Sequence, residues 1–329
     1  MMMKTIAAST ALSLSLSLAA ADSGGAEGME QTLKKHVYML AETIGERNLT
    51  AYAGLNQAAD YITGQFSRSG IMPETQSYQV AEKSLRRKWR RHNYHQQVYR
   101  NIILEIKGTA KPEEVIVIGA HYDSVSIKGC LAANDNASGV AAVLALADHF
   151  ASRPQAKTLR FVAFTNEEPP FFWTKGMGSM VYARQCRANG DRIAGMLSLE
   201  TIGCYYDRDG SQRYPLPFFS WFFPKKGNFI AFVADSKSKQ LQRECLASFR
   251  KNSSFPAEGT ALPLLVPRIG ASDHFAFRKA GYSGVMVTDT APYRDRTYHT
   301  TGDTPGHLDY ARMATVVEGL KPVIADLSR

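Results

Sequence analysis

Histidine and acidic side chains recur in this sequence just after short apolar runs. His121 follows VIVIGA, and Glu167 and Glu168 close the segment TLRFVAFTN. Glu200 follows GMLSL, and His299 lies in the loop after GVMVT. Such runs are typical of strands buried on both faces of a parallel sheet, and the ends of parallel strands meet at one edge. The pattern therefore predicts that these nitrogen and carboxylate donors converge, as in a hydrolytic site with two metal ions.

Two donors have ordinary structural explanations when each is taken alone. His121 could be a hydrogen-bonded core histidine, with Asp123 as the acceptor for its second ring nitrogen. Asp135 lies in ANDNASG, directly before a helical pattern, and could cap that helix. The alternative for Asp135 is a carboxylate that bridges two metals, for which a short side chain with two oxygens is well suited.

The adjacent acids Glu167 and Glu168 are harder to explain structurally, because burying two neighbouring carboxylates without a cation is unfavourable. We assign Glu168 as a metal ligand and Glu167 as the general base that acts on the attacking water.

These assignments predict two metal sites that share one carboxylate. The first consists of His121, Asp135 and Glu200, and the second of Asp135, Glu168 and His299. Nitrogen and oxygen ligands without a thiolate favour Zn²⁺, so two zinc ions per chain are expected. Tyr298, next to the last ligand, is positioned in the sequence to donate a hydrogen bond to a developing oxyanion.

Alternating helical and strand patterns would position these residues. Helical spacing is predicted for residues 33–44, 56–70, 138–150, 178–189, 241–249 and 309–327, with Ser138 as a possible N-cap. Strands are predicted for residues 75–80, 101–106, 115–120, 158–164, 195–199 and 284–288. The order predicts an α/β three-layer sandwich with a central mixed, mostly parallel sheet.

The N-terminal segment differs in composition from the rest. Residues 1–21 contain Lys4, an apolar stretch and a run of alanines, as in a signal peptide. We expect an exported protein, periplasmic or secreted, with one catalytic domain over residues 22–329. No later run reaches the about 18 apolar residues that a membrane span needs. The sequence does not indicate an oligomeric state.

The formal net charge is +9, and residues 83–95 carry much of it. This stretch could bind a polyanion, but a solvated loop between two strands explains it as well, and no nucleic-acid motif accompanies it. We therefore expect no nucleic-acid partner. Four cysteines allow three disulfide pairings, among which the spacing does not choose.

Several longer stretches resemble the secreted co-catalytic zinc aminopeptidases of peptidase family M28. They are HYDSVSIKGCLAANDNASG, FVAFTNEEPPFF, MLSLETIG, ASDHFAF and DTAPYRDRTYHTTGDTP. The resemblance implies an eight-stranded mixed sheet, the ligand and base roles given above, and a cis peptide bond after Asp135. It also places Asp273 near the active site and Tyr298 at the transition state. Glu200 departs from the aspartate that many relatives carry.

The resemblance implies a metal-dependent exopeptidase, most simply an aminopeptidase that acts on peptides. Two enzymes on the same fold are alternatives, namely a single-zinc glutaminyl cyclase and a carboxypeptidase. A binding module on an inactive scaffold is disfavoured, because none of the ligands is missing from the sequence.

Overall fold

Strands and helices alternate along the chain in the computed structural model, which describes residues 27–81 and 94–329. The predicted signal peptide and most of the basic stretch 83–95 lie outside the described residues. The strands are β1 (Glu74–Tyr78), β2 (Tyr99–Ile106), β3 (Lys111–His121), β4 (Lys157–Phe164), β5 (Arg192–Glu200), β6 (Ile230–Asp235), β7 (Ala257–Leu262) and β8 (Gly284–Thr288). The helices are α1 (residues 27–38, continued in wider turns by Met39–Ile44), α2 (Tyr52–Ser67), α3 (Gly139–Ala151), α4 (Gly178–Asn189), α5 (Lys239–Asn252), α6 (His274–Lys279), α7 (Ala291–Arg294) and α8 (Tyr310–Leu327).

The eight strands form one sheet in the order β1-β2-β4-β3-β5-β8-β6-β7. The central strands β4, β3, β5 and β8 are parallel to their neighbours in that group. β1 pairs with β2, and β2 with β4, in antiparallel fashion. β6 is antiparallel to β8 and parallel to β7. The α/β prediction with a mixed, mostly parallel sheet is confirmed.

Helices cover both faces of this sheet. The side chains of each strand alternate between the two faces, so each strand contributes apolar residues to both layers. In β3, Ile116 and Ile118 pack into the core that includes α2, α3, α5 and α8. Val115 and Val117 pack on the other face, with residues of α4 and α6. Apolar layers on both sides explain why the central strands read as continuous apolar runs.

The central parallel strands end at the same edge of the sheet. β3 ends at His121 and β5 at Glu200, while β4 stops at Phe164, shortly before Glu167. β8 ends at Thr288 and leads into the loop that carries His299. The sheet therefore supplies the positions from which the candidate side chains can meet.

Two details differ from the prediction. The backbone of Ser138 is helical and makes no capping bond; its hydroxyl donates to the Asn134 carbonyl at 2.7 Å and accepts from the Ile202 amide at 3.1 Å. The N-cap interpretation of Ser138 is therefore wrong. In addition, β6, β7 and α6 were not predicted as individual elements. No helix among the described residues combines the length and hydropathy that a bilayer-spanning helix needs.

Candidate active site

One donor cluster forms where β3, β5 and the loop before α3 meet. His121 Nε2 lies 3.3 Å from Asp135 Oδ1 and 3.3 Å from Glu200 Oε2. All three side chains are buried. Burial alone would lower the pKa of His121, but the nearby carboxylates of Glu200 and Glu167 outweigh this effect and raise it well above its usual value. The cluster thus favours a positive charge at its centre.

A second cluster uses the other oxygen of Asp135. His299 Nε2 lies 2.9 Å from Asp135 Oδ2 and 3.2 Å from Glu168 Oε1. Burial opposes protonation of His299, but the adjacent carboxylates of Asp135 and Glu168 raise its pKa to about 10. Burial would also raise the pKa of Asp135, yet the two histidines hold it below its usual value. Asp135 therefore lies between the clusters, as a bridging ligand must.

The geometry of both clusters fits zinc. Ligands bound at about 2.0–2.2 Å in a tetrahedral arrangement lie about 3.4 Å apart, close to the separations within each cluster. His121 Nε2, His299 Nε2 and Glu168 Oε1 are buried, and none has a hydrogen-bond partner that meets ordinary geometry. Buried polar atoms are rarely left in this state without a ligand. The donor sets therefore match two cation sites.

Glu167 lies beside the clusters but belongs to neither of them. Its Oε2 atom is 4.0 Å from His121 Nε2. Burial raises the pKa of Glu167 well above its usual value; His121 partly offsets this, and Glu200 and Glu168 add to it. A carboxylate with a raised pKa that is not needed as a ligand suits a proton acceptor.

Tyr298 lies against the last ligand. Its ring stacks on the imidazole of His299, with centroids 4.0 Å apart and an angle of 14° between the planes. Burial raises the pKa of Tyr298, and the carboxylates of Asp135 and Glu168 raise it further. The hydroxyl therefore stays protonated and can act as a donor.

The supporting role predicted for Asp123 takes a different form in the structure. His121 Nδ1 is 3.1 Å from the Asp123 backbone carbonyl and 3.5 Å from its carboxylate, so the carbonyl is the better acceptor. The two carboxylate oxygens instead accept the backbone N–H groups of Glu167 and Glu168, each at 3.0 Å. Asp123 thus positions the adjacent acids as well as the histidine.

Asp273 lies at the start of α6 and is fully buried. Burial raises its pKa to about 7; His121 lowers it and Glu200 raises it, although less strongly. Asp273 is therefore close enough to His121 and Glu200 for their charges to affect it, but it belongs to neither donor cluster.

Sequence reasoning missed several residues that fix the loop around Asp135. The Asp303 carboxylate accepts the backbone N–H groups of Asn134 at 2.7 Å and Asp135 at 3.1 Å. The side chain of Asn136 donates to the Leu199 carbonyl at 2.9 Å. The Asp135–Asn136 peptide bond is cis, as the resemblance implies. The aspartate in TTGDT was the only available signal, and it is equally typical of a surface turn.

Arg47 was also missed. Its guanidinium is fully buried and donates to backbone carbonyls of Leu40, Gly45, Tyr122, Leu131 and Ala132. Burial lowers its pKa to about 10. Arg47 thereby joins the end of the first helical segment to Tyr122, just after β3, and to residues 131–132, just before the loop around Asp135.

Residues with left-handed backbone conformations accompany the candidate ligands. The φ angle is 52° at Ala132, 59° at Asn166, 47° at Thr201 and 56° at His299. Each such residue costs of order 1–3 kcal/mol and persists only where its surroundings hold it in place. The site loops are therefore held in place by the rest of the fold.

A third group of possible metal ligands has a different character. Cys204, Asp295 and His307 lie close together, but His307 Nε2 is 3.0 Å from Asp295 Oδ1 and Cys204 Sγ is 3.4 Å from Asp295 Oδ2. Thr297 donates to the same carboxylate through its hydroxyl and its backbone N–H. These polar groups are satisfied within the protein, so the group is explained as a structural hydrogen-bond network.

An apolar pocket opens next to the first cluster. Glu200 and Tyr298 lie on its wall, and its other lining side chains include Phe219, Phe223, Phe229, Ile269, Met286 and Arg268. Most of these come from the β5–β6 segment and the β7–α6 loop. A substrate bound at the metal cluster would therefore place one of its side chains against an apolar surface.

Comparison with known proteins agrees with this architecture. The sequence profile of Peptidase family M28 matches residues 101–324. The uncharacterized protein YfbL of Escherichia coli is 33% identical over 296 residues, covering 88% of this chain and 86% of YfbL. The chain spans about half the length of the next curated relatives it matches.

Solved structures share the fold at low sequence identity. A zinc aminopeptidase from Bacillus subtilis superimposes with a TM-score of 0.68 at 14% identity, over 90% of this chain and 94% of the other. A glutaminyl cyclase from Bacteroides thetaiotaomicron superimposes with a TM-score of 0.64 at 16% identity, over 90% and 97%. At these identities the fold is what the proteins share.

Proposed function

Because the chain belongs to peptidase family M28, we propose that it is a zinc-dependent exopeptidase that removes N-terminal residues from peptides. The observation that carries this proposal is the pair of buried donor clusters that share Asp135. Each cluster contains a histidine whose Nε2 atom has no hydrogen-bond partner of ordinary geometry. We propose that His121, Asp135 and Glu200 hold one zinc ion, and that Asp135, Glu168 and His299 hold the other.

Bound zinc would supply Lewis acidity, lowering the pKa of water and polarising the scissile carbonyl. Glu167 would take the proton of the attacking water on its carboxylate and pass it to the leaving amine. The hydroxyl of Tyr298 would donate to the oxyanion. Asp123, which accepts both backbone N–H groups of the acid pair, would keep the Glu167 carboxylate oriented throughout the cycle.

The adjacent acids allow a matched test of these roles. Glu167→Gln is expected to retain about two zinc ions per chain and to lose about 10²- to 10⁴-fold in kcat, because only the proton acceptor is removed. Glu168→Gln makes the same chemical change one residue further on, and it is expected to lose metal together with activity. Elemental analysis and hydrolysis of aminoacyl-nitroanilides on the same samples give the answer. Unchanged turnover in Glu167→Gln would contradict the base assignment.

Glutaminyl cyclase is the second candidate, supported by the structural neighbour with that activity. A cyclase with a single zinc requires one complete ligand set, whereas the described residues contain two donor clusters that share Asp135. The two enzymes differ in metal count and in product. Pyroglutamate formation from a peptide with N-terminal glutamine, at one zinc per chain, would replace the peptidase proposal.

A further inference from the structure

Arg268 stands out among the polar groups of the pocket. It lies on the loop between β7 and α6 and lines the same pocket as Glu200 and Tyr298. Its guanidinium carbon is 5.9 Å from the centroid of the Tyr298 ring. Tyr298 in turn stacks on His299. A positive charge therefore lies one aromatic ring away from a predicted metal ligand.

No carboxylate among the described residues forms a salt bridge with Arg268. Two carboxylate side chains, Glu200 and Glu258, line the pocket. Each of them has a partner other than Arg268. Glu200 is paired with His121 and accepts from the Ser272 hydroxyl at 2.7 Å. Glu258 lies 3.4 Å from Arg250. The Tyr293 hydroxyl, which lies in the same pocket, is a neutral polar partner of the Arg268 guanidinium and leaves its charge without a counter-ion. A guanidinium has five N–H donors and suits a carboxylate in two-point contact, so Arg268 retains donors for a ligand.

The backbone around Arg268 is fixed although its side chain is exposed. The His274 ring donates to the Ile269 carbonyl at 2.7 Å, and the Trp173 indole donates to the Gly270 carbonyl at 2.8 Å. Arg268 itself has a left-handed backbone, with φ of 70°. These contacts tie the loop to Trp173 and to the start of α6, so binding a ligand at Arg268 would require little ordering of the backbone.

We propose that Arg268 binds the free carboxylate of the C-terminal residue of the substrate, and that the preferred substrates are dipeptides whose second residue is apolar. This proposal rests on the peptidase function proposed above. The scissile carbonyl would lie at the metal clusters, the apolar side chain would lie among Phe219, Phe229 and Met286, and the terminal carboxylate would meet Arg268.

The test compares leucyl-leucine with leucyl-leucinamide, which lacks only the terminal charge. The wild-type enzyme is expected to favour the free dipeptide by about 10- to 100-fold in kcat/KM, as for loss of a charge-assisted hydrogen bond. Arg268→Gln should remove this preference by reducing kcat/KM for the dipeptide alone. Arg268→Lys should keep part of it, because the charge remains without the fork. Arg213→Gln is the matched control, since Arg213 is exposed and outside the pocket lining.

Two outcomes would overturn the proposal: a wild-type enzyme that treats the dipeptide and its amide alike, or an Arg268→Gln enzyme that keeps the preference. Leucyl-glutamic acid α-amide has a side-chain carboxylate but no terminal one. If Arg268 raised kcat/KM for this compound and not for leucyl-leucine, Arg268 would recognise an acidic side chain and the proposal would be wrong. Leucine nitroanilide, with zinc counted, reports on the peptidase function independently. Calorimetric binding of leucyl-leucine to Glu167→Gln, with and without Arg268→Gln, tests Arg268 even if no substrate is turned over.

Discussion

Glu200 is one methylene longer than the aspartate that the family resemblance would place here, and its surroundings fit that length. Its Oε2 atom is 3.3 Å from His121 Nε2 and also accepts from the Ser272 hydroxyl at 2.7 Å. Ser272 in turn lies 2.9 Å from the hydroxyl of Ser198. The carboxylate is thus positioned by a partner as well as by its own backbone, which is how ligand orientation is usually secured.

A shortened ligand should therefore weaken one metal site. Glu200→Asp withdraws the carboxylate from both His121 and Ser272, and we expect zinc affinity at this site to fall at least about tenfold. Glu258→Asp is the control, because it makes the same change in the same pocket outside both donor clusters. Chelator titration with zinc counting measures the difference. A Glu200→Asp enzyme with two zinc ions of unchanged affinity would show that the longer side chain is not required.

The Asp303 carboxylate accepts only backbone N–H groups, so changing Asp303 tests whether a residue can support metal binding through the backbone alone. Asp303→Asn leaves one acceptor oxygen for the two N–H groups of Asn134 and Asp135, so the bridging carboxylate loses part of its support. We expect metal affinity and kcat/KM to fall about 10- to 100-fold. Asp309→Asn, at the N-cap of α8, should change stability alone. Equal effects of the two variants on metal affinity would argue against the positioning role.

The proposed ligands and Asp303 differ in how far the sequence could identify them. His121, Glu168 and Glu200 could be predicted because each follows a buried strand, and the alternation of elements brings those strand ends together. Asp303 contacts Asn134 across 169 residues of chain, and its only local signal is that of a turn. The sequence does not distinguish Arg47 from a surface arginine, because the five backbone carbonyls that accept its hydrogen bonds are brought together only in the folded chain. Contacts of this kind depend on the tertiary fold.

The secondary-structure elements also differ in how well the sequence predicts them. The boundaries of α4 and β8 were predicted to the residue, since a periodic or continuously apolar pattern fills the whole element. β7 is an edge strand of half-buried residues with Gly259 inside it, so no strong pattern marks it. α6 has six residues, too few for helical periodicity. β6 is wholly buried, and its apolar residues form a continuous run that is typical of such a strand.

Packing between α1 and α2 predicts how stability depends on acid. His36 Nδ1 is 2.7 Å from the Tyr61 hydroxyl, and burial lowers the pKa of His36 from 6.5 to about 4, with the positive charges of Lys35 and Arg68 adding to the effect. Between these two values the unfolded chain binds more protons than the folded chain. Stability is therefore expected to fall as pH drops from about 6.5 to about 4, by up to about 3 kcal/mol from this group.

The measurement is urea unfolding of metal-free protein over that pH range. His36→Gln should flatten the decline relative to wild type, because glutamine binds no proton. Both proteins are measured without metal, so the ionisable groups of the active site contribute equally to the two pH profiles and do not affect their difference. Parallel pH profiles would show that His36 is not the origin of the acid sensitivity.

At the scale of the whole molecule, the fold has no disulfide among its described residues. All four cysteines lie in the described part of the chain, and each is buried and unpaired. Burial raises the pKa of Cys130 to about 11 and that of Cys186 to about 12. Such thiols are poor nucleophiles at neutral pH.

We therefore expect a reducing agent to leave the thermal unfolding midpoint unchanged, and thiol reagents to react slowly until the protein unfolds. Thiol titration with and without denaturant, beside melting curves with and without reductant, tests both points. The denatured sample, in which all four cysteines should react, is the internal control. A midpoint that falls on reduction would indicate a disulfide in the working enzyme.

The left-handed residues beside the ligands also bear on how the enzyme can change by mutation. At Ala132 and Thr201, most side chains keep the backbone cost, whereas glycine or asparagine would relieve it. Asn166 already carries asparagine, so only glycine would relieve the cost further there. Mutational tolerance around the metal centre should therefore be set by backbone conformation as much as by chemistry. In a saturation library selected for folding alone, glycine should be enriched at these positions. The same substitutions would loosen the loops that carry the ligands, so selection for turnover should remove them.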